Sequence, residues 1–397
     1  MGPTSLLPAL ISLSVAVATL LLIVRITGAP EKAGRYASID GLRGYLAFAV
    51  FLHHSCVWYF YLRTGEWEAP PSRLYLNFAH AGVAMFFMIT GFLFYSKLID
   101  GKTRGVDWHR LYVSRVLRLA PMNLFVVSLV VAVVAALSGG TINVSGFEIF
   151  KQILPWLTML GSPDVNGVHG TSIIIAGVNW SLRYEWLFYF ALPLLALTVR
   201  LVPPMLYLLL ALLSVTAFWV LHLSLLHVVS FSGGISAAIL VRFPWMKKIS
   251  LTPAASALLI ALLLVVVLAF SRLGVLQLVL LSIAFILIAC GNDLFGVLTS
   301  TVSRTLGEMA YSLYLLHGFA LFVVFRFLIG LSTGKGFSPE AHWAVVVFLT
   351  PILILTCYAT YRLIERPAMH QVDGVALWLR NFVAKRRPAP SNLGSGD

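Results

Sequence analysis

Residues 38–62 read Ser38-Ile39-Asp40-Gly41-Leu42-Arg43-Gly44-Tyr45, then apolar residues to Phe51, then Leu52-His53-His54-Ser55, then apolar and aromatic residues to Leu62. From about 41 onward this run is long enough, at ~1.5 Å per residue, to cross a hydrocarbon core of ~30 Å. It nevertheless carries an arginine near one end and two histidines in its middle. An ionisable group inside a span costs roughly 2.5–3.5 kcal/mol on insertion scales, so it normally faces a cavity or a partner. The stretch therefore reads as a membrane helix with a working face.

The rest of the chain has the same character. Of its 397 residues 59% are hydrophobic and 11% are Asp, Glu, Lys or Arg, against ~45–50% and ~25% in ordinary globular chains. That excludes a water-soluble body, which would need far more polar surface. Eleven apolar runs are long enough to span: roughly 6–24, 41–62, 78–97, 115–137, 180–199, 203–221, 224–241, 251–270, 273–290, 306–328 and 342–362. Nothing reads as a strand array or an internal repeat. The expected fold is an all-α membrane protein, a polytopic helical bundle of about eleven transmembrane helices. Cys56, Cys290 and Cys357 lie inside apolar runs and offer neither a disulfide framework nor metal spacing. No metal site is expected.

Charge placement gives an orientation. No positive charge precedes the first run and Arg25 follows it, which favours a retained span with its N-terminus outside over a secretory signal. Alternating the loops then puts 21 of the 28 Lys and Arg on one side and 7 on the other, the asymmetry of a cytoplasmic face. The C-terminus falls inside. The net charge of +13 thus addresses anionic lipid or an anionic cytosolic ligand rather than nucleic acid. One outer loop is long, about 137–179, with Trp156 and a Gly-rich stretch containing Asp164, Asn166 and His169. It reads equally as a lid or acceptor platform or as a loosely ordered cap.

On an ideal helix, eleven residues from Arg43 to His54 turn about 20° past three full turns, so both side chains share a face about 16 Å apart. Asp40 falls within about 40° of that line, whereas His53 points about 100° away. Arg115 and Arg118 are i, i+3 neighbours at the start of the fourth run, where guanidiniums beside a helix N-terminus suit phosphate. Glu185 lies about 8 Å into the fifth run and should pair with Arg183, Arg326 or His54, or hold a substrate hydroxyl. His317 lies about 15 Å into the tenth run, near the depth of His54, below a stripe of Tyr311 and Tyr314. Bland readings exist for each: snorkelling arginines, orientation signals, interhelical hydrogen bonds. Two histidines at one depth, reached from a basic face, look more like a reaction centre.

With these residues in hand the chain resembles the acyltransferase-3 family of bacterial integral-membrane acyltransferases. The resemblance rests on Arg43 and His54, on Arg115-x-x-Arg118, on Ser38 to Gly44, and on Phe86-Phe87-Met88-Ile89-Thr90-Gly91-Phe92. It continues through Trp180-Ser181-Leu182 with Glu185, Tyr311-Ser312 to Tyr314 with His317, and Arg362-Leu363-Ile364-Glu365-Arg366-Pro367. It implies a ten-helix core, an added N-terminal helix with a basic loop (residues 1–35), a membrane domain over 36–370 and a cytoplasmic tail over 371–397. It also implies transfer of an acyl group, usually acetyl, from cytosolic acetyl-CoA or another acyl-CoA to an extracytoplasmic carbohydrate or glycolipid acceptor in the bacterial cytoplasmic membrane. The acyl-CoA would be the donor substrate, with no permanently bound cofactor.

His54 would be the catalytic base or an acyl relay, with Arg43, Arg115 and Arg118 on the donor's phosphates. Glu185, Tyr311 and His317 would position the acceptor or support the oxyanion. Asp40 and Gly91 would be orienting or structural, and Arg362 with Glu365 a structural ion pair. The competing readings are a transporter or flippase for a lipid-linked sugar, a macrolide or other small-molecule acyltransferase, and a non-catalytic scaffold.

Overall fold

The computed structural model of the chain describes residues 2–30, 36–220 and 222–385. The basic connector at 31–35 and the polar end at 386–397 lie outside the described residues. Helices occupy all eleven apolar runs, and the described residues form no strand beyond one isolated bridge. In chain order they are α1 (Leu6–Thr27), α2 (Ala37–Thr64), α3 (Arg73–Arg104), α4 (Trp108–Leu137), α5 (Gly146–Leu157) and α6 (Asn179–Thr198). There follow α7 (Met205–Val220), α8 (Leu225–Leu240), α9 (Pro244–Ser250), α10 (Pro253–Ala269), α11 (Val275–Ala289) and α12 (Thr301–Glu308). The last are α13 (Ala310–Phe322), α14 (Leu331–Lys335), α15 (Pro339–Thr360), α16 (Arg366–His370) and α17 (Val372–Lys385). Six helical stretches are long and apolar enough to cross a membrane alone, or seven if α8 and α9, bent by 110°, count as one. Helices α7, α10 and α11 are apolar but shorter.

Helix α3 has 32 residues, well beyond the apolar run 78–97 that the sequence marks. Ser72 starts it by accepting from the Tyr75 amide at 3.4 Å. Its middle packs against α8 at the distance of backbone contact: a Cβ on Gly91 would press on the Phe231 carbonyl oxygen, and one on Gly234 would collide with that of Met88. Gly91 and Gly234 thus lie where the two helices approach most closely, an approach that small residues permit.

The helix ahead of the core is tied in at both ends. Trp343 Nε1 donates to the Pro3 carbonyl (3.0 Å) and the Tyr75 hydroxyl to that of Ser5 (2.9 Å). At the other end the Tyr358 hydroxyl donates to Thr27 Oγ1 at 2.9 Å.

The long loop is built rather than loose. Asn166 accepts from the Asn143 amide (2.7 Å) and donates to Ser138 Oγ (3.0 Å) and to the Thr141 carbonyl (2.8 Å). Trp156 is buried, donating through Nε1 to the Pro163 carbonyl at 3.0 Å, while Asn123 of α4 donates to the Trp156 carbonyl at 3.0 Å. A 3-10 turn over Thr171–Ile175 then lies on α13 so closely that a Cβ on Gly318 would overlap the backbone of Ile175 and Ala176. Gly318 directly follows His317, so the loop roofs the level of that histidine.

The stretch expected as a cytoplasmic tail begins with α17. Arg110 of α4 holds Asp373 at 2.5 Å, and Arg380 holds Asp107.

Candidate active site

Helices α2, α3, α4, α6 and α13, with Met369 of α16, line a cavity of about 350 Å³. Along α3 its wall runs from Val83 to Lys97, about 21 Å of helix axis. One end is basic, with Arg43, Lys97, Arg115 and Arg118; the middle carries Thr90, Glu185, Tyr189 and Tyr311; the far end is bounded by Val83, Phe86, Ser181, Leu182 and Tyr314.

Among the described residues only Arg43 of the four has an ion-pair partner; aromatic rings hold Lys97 and Arg115 in place. Asp40 pairs with Arg43 at 3.2 Å, one turn away on α2. The Arg115 guanidinium lies 4.9 Å from the Phe94 ring centre and 6.0 Å from that of Tyr189, and Lys97 Nζ lies 5.3 Å from Phe94. Phe94 thus anchors two cations. The helix N-terminus expected to assist Arg115 and Arg118 is elsewhere: α4 begins at Trp108, and Asp107 already caps it through the Arg110 amide at 3.1 Å. The positive charge at this end comes from the side chains.

Glu185 meets none of the three partners expected from sequence. The Tyr189 hydroxyl donates to its Oε1, as does Thr90 Oγ1 at 3.5 Å. Tyr189 is one helical turn on, whereas Arg183, two residues back, leaves from another side of α6. Tyr311 donates to the Leu119 carbonyl (3.0 Å), and the Tyr314 hydroxyl shares a 2.7 Å hydrogen bond with that of Ser181.

His54 and His317 are at one level, as the helix arithmetic indicates. His54 Nδ1 is 3.0 Å from His317 Nε2, with the ring centres 5.0 Å apart. The neighbouring carbonyls assign the tautomers of the neutral pair. His317 Nδ1 faces the Leu313 carbonyl at 3.0 Å, which only accepts, so Nδ1 carries the proton and Nε2 the lone pair. His54 Nδ1 faces that lone pair and the Val50 carbonyl (3.1 Å), two acceptors, so it too is protonated. The Nε2 of His54 is then left as an unprotonated lone pair with no hydrogen-bond partner among the described residues.

Trp67 stacks over the ring (centres 6.3 Å, planes 11° apart). His53 turns away and donates to the Tyr75 carbonyl at 2.8 Å. The histidine pair does not itself line the cavity; Tyr314, which does, has its ring centre 6.2 Å from that of His317.

Arg362 and Glu365 do not pair. They lie in a π-helical turn, Tyr361–Glu365, whose wider winding sends Glu365 inward and Arg362 to the surface. Buried Glu365 accepts from Ser312, and Thr360 Oγ1 donates to Ser312 Oγ at 3.0 Å. Arg362 reaches the Tyr358 hydroxyl, at 3.4 Å, and that ring's face. Sequence reasoning missed Lys97, Phe94, Tyr189 and Trp67 as site residues. The i, i+4 spacing from Glu185 to Tyr189 was a usable signal; Lys97 was absorbed into the orientation count; nothing in the sequence marks Trp67.

Comparison with known proteins bears on this site. A family model described as an acyltransferase domain matches residues 36–362. Over 180 residues the chain is 27% identical to the acyltransferase MdmB of Streptomyces mycarofaciens, covering 44% of this chain and 42% of that protein. Over 176 residues it is 31% identical to nodulation protein 10 of Rhizobium leguminosarum bv. viciae, covering 42% and 45%. Each match thus spans less than half the length of the relative. No solved structure matches. With the family match running from the start of α2 into the π-helical turn after α15, the chain is a multi-pass membrane member of the acyltransferase-3 family.

Proposed function

We propose that this protein is an O-acyltransferase of the bacterial cytoplasmic membrane. It moves an acyl group, acetyl in the first instance, from cytosolic acyl-CoA to a hydroxyl of an extracytoplasmic carbohydrate or glycolipid. The reading includes eleven crossings with the N-terminus outside and the C-terminus inside, supported by the 21-to-7 division of Lys and Arg.

One observation carries it: a cavity with four cations at one end, bounded at the other by the tyrosine that adjoins the histidine pair. Coenzyme A is too highly charged to cross lipid, but its pantetheine arm is slender. Arg43, Lys97, Arg115 and Arg118 hold the phosphates, and the arm runs along the cavity toward Tyr314. An acceptor hydroxyl meets the thioester from the other side. The His54 Nε2 lone pair takes the hydroxyl proton as the oxygen attacks the thioester carbonyl. The C–S bond then breaks and His54 returns the proton to the sulfur. The products are the acyl ester and coenzyme A thiol, with no net proton change. His317 holds the ring of His54 in the competent tautomer.

Purified protein supplied with labelled acetyl-CoA and an extract of surface glycans tests this. Labelled ester should form, and His54→Ala should stop it. Absence of both transfer and slow thioester hydrolysis in the unmodified protein would refute the reading.

A further inference from the structure

We propose that Glu185 reads the donor rather than the acceptor, its Oε2 accepting an amide N–H of the pantetheine arm of acyl-CoA. The proposal rests on the acyl-CoA reading above and departs from the acceptor-positioning role that resemblance alone suggests.

The two carboxylate oxygens are in different situations. Oε1 is taken by the Tyr189 hydroxyl and by Thr90. Oε2 has no hydrogen-bond partner among the described residues, it is not a sealed-off buried atom, and the residue lines the cavity. Among the described residues no guanidinium forms an ion pair with it, although Arg115 and Arg118 line the same cavity. A carboxylate is an acceptor only, so the open oxygen asks for an N–H or O–H from whatever fills the cavity. It also repels phosphate. The segment of donor at this level must therefore be uncharged and carry a hydrogen-bond donor.

Register identifies that segment. Thr90, which touches Glu185, is seven residues from Lys97 along α3, or about 10 Å from the basic end, and seven from Val83 at the far end. Going from its phosphates, the donor presents one hydroxyl, then two amides, then the sulfur. With the phosphates on the cations and the thioester near Val83 and Phe86, the amides fall in the middle third, opposite Glu185. The acceptor does not come there. Ser181, one turn before Glu185 on α6, is hydrogen-bonded to Tyr314, whose ring centre lies 6.2 Å from that of His317, so the histidine pair is approached from the far end of the cavity, beyond the level of Glu185.

The test crosses protein variants with donor analogues. Full-length protein, as wild type, Glu185→Gln and Glu185→Ala, is assayed with acetyl-CoA and with two acetyl-CoA analogues in which one or the other arm amide is replaced by an ester. Each ester removes one N–H. For the wild type, one ester should raise the donor KM roughly tenfold or more, the scale of a hydrogen bond to a charged group. Glu185→Ala should raise the acetyl-CoA KM by a similar factor and lose its discrimination against that ester, with Glu185→Gln intermediate. The acceptor KM should stay unchanged throughout. Equal discrimination by wild type and Glu185→Ala, or a loss confined to the acceptor KM, would overturn the proposal. The wild-type arm needs no folded variant, and indifference to both esters there also overturns it. A wild type that neither hydrolyses acetyl-CoA nor transfers its acyl group would instead sink the enzyme reading on which this one rests.

Discussion

His54 Nδ1 and His317 Nε2 are 3.0 Å apart, and the Leu313 and Val50 carbonyls on their flanks decide which nitrogens carry protons. A side chain carried by α13 thereby prepares the ring carried by α2. Removing His54 and removing His317 should have different consequences. His54→Ala should lower kcat by about 10²–10⁴, the usual value of a general base, while donor binding survives. His317→Ala should cost less, because the Val50 carbonyl still holds Nδ1–H. Single-turnover rates at saturating donor distinguish the two; equal losses would mean that His317 touches substrate itself.

The basic end should be read by salt. Lys97→Ala, Arg115→Ala and Arg118→Ala should each weaken coenzyme A binding several-fold, with flatter salt dependence, because fewer charges remain to be screened. Phe94→Leu should weaken it too, since that ring steadies Lys97 and Arg115. Titration of coenzyme A at two ionic strengths measures both effects. Unchanged affinity in the arginine variants would return them to orientation signals.

The α3–α8 crossing should tolerate no added methyl. At Gly234 the new Cβ would overlap the Met88 carbonyl, and at Gly91 it would press on that of Phe231. Overpacking of this kind costs about 1–3 kcal/mol, so Gly234→Ala should lower the thermal midpoint in detergent by several degrees and Gly91→Ala by less. Midpoints equal to wild type would show that these helices stand further apart than described.

Much of this arrangement was legible before any coordinates, and the reason is periodicity. The apolar runs located the helices, and the rise of about 1.5 Å per residue put His54 level with His317. What was hidden depended on contacts between distant segments. Glu185 chose Tyr189 and Thr90 over Arg183. Glu365 chose Ser312 over Arg362, in a π-helical turn that no sequence pattern marks. The seating of the long loop on Gly318 was equally invisible, being a property of backbone approach between two segments with no shared pattern. Ends of elements blurred for a further reason: α3 continues past the lipid thickness, through residues that an apolarity criterion discards.

That loop supplies a prediction of its own. Asn166 binds Asn143, Ser138 and Thr141 together, so Asn166→Ala leaves several polar groups without their partner. Limited proteolysis should cut residues 138–170 faster in the variant, with coenzyme A binding unaltered because the cavity's basic end is remote. Unchanged cleavage would place the loop's stability elsewhere.

On the proposed function, the histidine pair joins a donor from the basic face to an acceptor from the opposite face. Sealed vesicles holding the purified protein in one orientation test it most directly, with labelled acetyl-CoA supplied only on the side of Arg115 and Arg118 and a glycan acceptor only on the other. Label should appear on the acceptor across the bilayer with unmodified protein and vanish with His54→Ala. Labelling that requires donor and acceptor in the same compartment, or that survives loss of the imidazole, would contradict the account.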